Sequence, residues 1–103
     1  MIINRGQIMI VFILGMPNIG SWDNKWSGSD RLYCRTYYDN YVPKSLVGNT
    51  YYYNFGDGWT ASIEVKKLPC KEARKMEEKS CGFYGYDWMI RSLIKNGEIK
   101  KED

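Results

Sequence analysis

Arg31, Tyr33, Arg35 and Tyr37 alternate along one short segment, RLYCRTYY, and are the side chains best suited to recognise another molecule. Successive residues of an extended strand point to opposite faces, so this set shares one face. Guanidinium groups hold phosphates and carboxylates, while aromatic rings stack on bases or fill pockets on a protein surface. Tyr52 and Lys66 join the candidate set, placed with Thr60 and Ser62 on the outer face of a predicted hairpin. The same alternation also stabilises a sheet by pairing Tyr with Arg across strands, with no ligand involved. Three readings therefore stand side by side: a protein interface, a surface for single-stranded nucleic acid, and cross-strand stabilisation.

Other chemistry finds less support. The chain has no histidine, and no Ser or Cys sits beside a base that would activate it. Asp23 and Asp30 lie in a Gly/Ser/Asn-rich loop and Asp57 in a turn, where Asp is ordinary. The turn Gly56-Asp57-Gly58 lacks the Lys and following helix of a phosphate loop, and also the alternating ligands of a calcium loop. Cys34, Cys70 and Cys81 are odd in number and have no CxxC spacing, which argues against a disulfide framework or a zinc site. The sequence thus predicts a protein that is not an enzyme and needs no cofactor or metal. A small enzyme of unknown class remains the third functional reading.

Composition sets the frame. The chain has 103 residues, 44% of them hydrophobic, which suits one domain with a modest core. Fifteen basic and twelve acidic residues give a net charge of +3. That permits contact with nucleic acid without demanding it, and argues against the chain as a whole being a mimic of the DNA polyanion. Nine Tyr, four Trp and three Phe are too many for so small a core, so several rings must reach the surface.

The elements that position these residues can be read from periodicity. Tyr51, Tyr53 and Phe55 alternate on one strand and Trp59, Ala61, Ile63 and Val65 on the next, joined by the glycine-bearing turn of a hairpin. Strands are predicted near residues 8–14, 31–38, 50–55 and 59–66. After Pro69, residues 70–80 are rich in good helix formers, and Arg74 and Glu78 are spaced to pair across one turn. Asp87 is placed to cap a second helix over 87–96, whose Met89, Ile90, Leu93 and Ile94 form an apolar stripe ended by Asn96-Gly97. The charged residues from Glu98 onward read as a frayed tail.

The N-terminal run Ile8–Leu14 admits several readings. It is too short to span a membrane as a helix. It suits a buried strand, a poorly ordered extension, an over-long start ahead of Met16, or a signal peptide, although Met16 to Ser21 makes a poor cleavage site. The chain is accordingly divided into an apolar strand or extension over 1–18, one α+β domain over 19–99 and a charged tail over 100–103.

The phrases KWSGSDRLY, VPKSLVGNTYYYNFGDGWTASIEV and CGFYGYDWMIRSLIKNGEI resemble small accessory proteins of tailed bacteriophages. The resemblance runs from about Lys25 to Ile99 and leaves out the run before Trp22. It implies a cytoplasmic protein made in an infected or lysogenic bacterium, one that binds and redirects a host or defence protein.

Together these readings predict an α+β fold: a small twisted antiparallel sheet of about four strands, centred on the hairpin over 50–66, with two C-terminal helices packed on one face. The functional expectation is a non-enzymatic protein that occludes a host or defence-system macromolecule through Arg31, Tyr33, Arg35, Tyr37, Tyr52 and Lys66, with no membrane partner. The alternative is a small module that binds single-stranded nucleic acid through the same residues.

Overall fold

A strand buried on both faces must be apolar at every position rather than at alternate ones. The run IMIVFILG is such a strand. It forms β1 (Ile8–Gly15) and is buried almost throughout. The computed structural model describes residues 7–15, 32–56, 59–78, 80 and 84–101. Among these residues, β1 is followed by β2 (Leu32–Tyr38), β3 (Thr50–Gly56) and β4 (Trp59–Pro69), then by the helices α1 (Cys70–Glu78) and α2 (Asp87–Asn96). All pairings are antiparallel and the sheet order is β2-β1-β4-β3, so β1 is central and β2 and β3 form the two edges. Of the readings open for the N-terminal apolar run, the strand is the one observed.

The hairpin pairs as its alternation predicts. Tyr51 lies opposite Ile63 and Tyr53 opposite Ala61. Its entry is fixed by Gly48 and Asn49, which together oppose Val65: the Gly48 N–H donates to the Val65 carbonyl at 2.8 Å, and the Val65 N–H donates to the Asn49 carbonyl at 3.0 Å. Two residues against one make a bulge whose first position needs a positive φ, and Gly48 has φ +87°. A second irregularity lies between Asn54 and Gly56.

The main core lies on one face of the sheet. Ile10, Phe12 and Leu14 from β1 and Ala61, Ile63 and Val65 from β4 meet Met89, Ile90 and Leu93 from α2. This is the predicted stripe against the predicted hairpin face. Val42 and Leu46, in the link between β2 and β3, close the same cluster.

One part of the expected architecture is corrected. The four-stranded antiparallel sheet and the two C-terminal helices are as predicted, but the helices do not share a face. Val11, Ile13 and Cys34 point away from α2 and are covered by Ala73 and Met76 of α1. The reason lies in β1, which is apolar on both sides; a single helical layer would leave Val11 and Ile13 in water. Cys34 and Cys70 are buried, and Cys81 lies outside the described residues.

The helix ends differ from expectation in two ways. Asp87 is the first residue of α2 rather than its cap: Tyr86 holds the cap position and makes no side-chain capping bond. At the other end Gly97 adopts φ +77° and its N–H donates to the Leu93 carbonyl at 2.8 Å, the stop that Asn96-Gly97 predicted. Beyond it the chain is tied back as far as Lys100 rather than frayed from Glu98. The buried Ser92 hydroxyl donates to the Glu98 carbonyl at 2.7 Å and accepts from the Lys100 N–H at 2.8 Å.

Candidate functional site

Register decides where each candidate side chain points. Tyr33, Arg35 and Tyr37 pair with Leu14, Phe12 and Ile10, so they lie on the α2 face of the edge strand β2. Tyr52 pairs with Ser62, out of phase with Ile63, and Lys66 pairs with Val11; both therefore lie on the opposite, α1 face. The six candidates do not form one surface. Arg31 lies outside the described residues.

Within the β2 group the roles differ. Tyr33 is core, at 2% exposure, so it supports a contact surface rather than belonging to one. Its phenol O–H donates to Asp87 Oδ1 at 2.8 Å. Arg35 Nη1 lies 3.6 Å from the same carboxylate oxygen and donates to the Tyr33 oxygen at 3.4 Å. Arg91, one turn along α2 from Asp87, places Nε 3.3 Å from Oδ2. One carboxylate thus sits between two guanidiniums and a phenol. The Arg35 guanidinium carbon lies 5.6 Å from the centre of the Tyr37 ring, and that ring packs edge-on against Phe12 with centroids 5.5 Å apart.

Burial pushes the Tyr33 phenol above its ordinary pKa; the hydrogen bond from Arg35 opposes this and Asp87 reinforces it. Burial likewise raises Tyr37. The hydrogen bond to Tyr33 raises Arg35, which stays charged. The unit is therefore a fixed cation flanked by neutral rings. Arg35 keeps 44% of its side chain exposed against 15% for Asp87, so guanidinium donors remain for an incoming carboxylate or phosphate.

The hairpin's outer face is open. Tyr52 is 68% exposed, and Lys66 makes a 3.5 Å ion pair with the half-exposed Glu64. Tyr38 and Tyr41 are also exposed, with ring centroids 6.3 Å apart near the end of β2.

Three features escaped the sequence reading. Asp87 organises the β2 group although it is 54 residues from Tyr33 in the chain. Glu77 of α1 reaches the edge of β2, where its Oε2 accepts from the Thr36 N–H at 2.9 Å and from the Thr36 hydroxyl at 2.7 Å. Glu77 takes this role while Arg74 and Glu78 form no ion pair among the described residues. A basic groove of about 490 Å³ runs along α2, lined by Trp88, Arg91, Ser92, Lys95, Lys100 and Lys101. The spacing of Trp88, Arg91 and Lys95 on one helical face was its sequence signal; the return of the tail to Ser92 had none.

No helix among the described residues is long and apolar enough to cross a membrane. No family model, curated protein or solved structure matches the chain.

Proposed function

We propose that this protein works by binding rather than by catalysis, and that its target is another protein. The observation that carries this reading is the Arg35–Tyr37 unit. Asp87 and Tyr33 hold the guanidinium in place, and part of it faces solvent beside an aromatic ring. An arginine and a tyrosine already held in position lose little freedom on binding, which is why such residues dominate interface energetics. The resemblance to phage accessory proteins adds the class of target: a host or defence protein in the cytoplasm of an infected bacterium, occluded by this surface.

A tagged pull-down from nuclease-treated bacterial lysate tests it. The expected result is one stoichiometric protein that Arg35→Ala and Tyr37→Ala variants fail to retain. Equal retention by both variants would place the target contact elsewhere and overturn the assignment.

A second reading, binding of single-stranded nucleic acid, is favoured by the basic groove beside Trp88. Phosphate contacts release counterions, so such binding weakens steeply with salt, whereas an aromatic-centred protein interface weakens far less. Nucleic acid recovered only when nuclease is omitted, with a steep salt slope that Lys95→Ala lowers by about one, would favour this reading.

A further inference from the structure

We propose that β3 is a self-pairing edge through which two copies of this chain form a continuous antiparallel sheet. The inference stands apart from the target-binding reading and rests on backbone direction. Val65 spends both its N–H and its carbonyl on Gly48 and Asn49, so the odd-numbered residues of β4 face β3. Tyr51 and Tyr53, opposite Ile63 and Ala61, therefore turn their backbone groups toward β4. The N–H and C=O groups of Thr50, Tyr52 and Asn54 turn outward, and among the described residues they meet no partner.

Sheet edges in monomeric proteins are usually blunted by Lys, Pro, a bulge within the strand or a covering element. Among the described residues Thr50–Asn54 has none of these. The bulges lie at its two ends, at Gly48-Asn49 and between Asn54 and Gly56, and leave a regular segment centred on Tyr52. A second copy fits this segment for three reasons. A two-fold axis at Tyr52 sets Thr50 against Asn54 of the other copy, so the two segments match in length. The strand TYYYNFG carries no charge, so a two-fold axis brings no like charges together. On the α2 face the axis sets the half-buried Tyr51 beside Tyr53 of the other copy and extends the Ile63–Tyr51 and Ala61–Tyr53 rows of the core across the boundary. The assembly closes at two copies because Ser80 and Glu77 occupy the Cys34 and Thr36 N–H groups at the middle of the other edge. An edge pair is a small interface, so the dimer is weak and concentration-dependent.

Sedimentation equilibrium over a wide concentration range tests this. The wild-type mass should rise from one chain to two and go no higher. Tyr52→Lys, at a position outside the core, should keep its melting curve yet associate about tenfold more weakly or worse, because two cations then meet at the axis. Tyr52→Cys reads the register: opposed residues of a hydrogen-bonded pair lie about 5.5 Å apart at Cα, within disulfide reach. Mild oxidation should cross-link Tyr52→Cys chains, but not wild-type chains or those carrying Thr50→Cys alone. A wild-type chain that stays single at every concentration overturns the proposal and leaves a strand of another protein as the occupant. Tyr52→Lys chains that associate as wild type does, or growth beyond two copies, overturn it as well.

Discussion

β2 and β3 are both seven-residue edge strands of one sheet, and both are rich in tyrosine. At β2 the outward N–H groups of Cys34 and Thr36 donate to Ser80 Oγ at 3.0 Å and to Glu77 Oε2 at 2.9 Å, both supplied from α1 and the residues just after it. At β3 the outward groups of Thr50, Tyr52 and Asn54 meet no partner among the described residues. The difference traces to the two helices. α1 lies against β1 and β2 and finishes one edge, whereas α2 covers the opposite face and no described element covers the edge of β3. Side chains follow the same division. On β2, Tyr33 is core and Arg35 and Tyr37 are fixed against Asp87 and Phe12; on β3, Tyr52 is free to meet a partner. A closed edge with a prepared side-chain unit suits recognition by surface, and an open edge suits recognition by backbone.

Substitutions at either edge test this difference. The largest effect is expected from removing β1, the strand between the two halves. A chain beginning at Met16 should show no cooperative melt, because β2 then has no neighbour and both helices lose their floor. Phe12→Ala should cost about 3–5 kcal/mol and Leu93→Ala about 2–5 kcal/mol by denaturant unfolding, since each leaves a cavity in the main core. Glu77→Ala opens the closed edge. It should cost about 1–2 kcal/mol for two lost hydrogen bonds, and should let chains associate beyond the dimer, which light scattering would detect.

Smaller effects probe the Asp87 group. Tyr33→Phe should cost about 1 kcal/mol and loosen Arg35, which ¹⁵N relaxation of the guanidinium would report. Both Tyr33 and Tyr37 have raised pKa values, so the folded state favours their neutral forms. Their contribution is complete below the ordinary phenol value of about 10, and is lost as pH rises through the raised values in the folded protein. Stability should therefore fall above pH of about 10, less steeply in Tyr33→Phe, with tyrosinate absorbance rising late for both rings. Arg91→Ala removes an exposed ion pair one turn from Asp87 and should change stability by less than about 0.5 kcal/mol.

Much of the fold was legible because its signals are local. Tyr51, Tyr53 and Phe55 set against Ala61, Ile63 and Val65 announce a hairpin at a period of two, and Met89, Ile90 and Leu93 announce a helix at 3.6. The unbroken run Ile8–Leu14 also held the clue to a second helical layer, since a two-sided strand needs two covers. The site was less legible because its bonds are tertiary. RLYCRTYY shows that Tyr33 and Arg35 share a face, but not that the face meets Asp87. The same alternation gives no sign that Tyr52 and Lys66 lie on the other side, because that depends on strand order. Glu77 looks like one more charge on a helix until the edge of β2 arrives beside it.

Amide hydrogen exchange, resolved by residue and measured in dilute protein, tests the contrast between the edges most directly. Exchange should be slow at Cys34, Thr36, Tyr51 and Tyr53, and fast at Thr50, Tyr52 and Asn54, where it should slow as concentration rises. A Tyr52 amide as protected as those of Tyr51 and Tyr53 in dilute protein would contradict an open β3 edge.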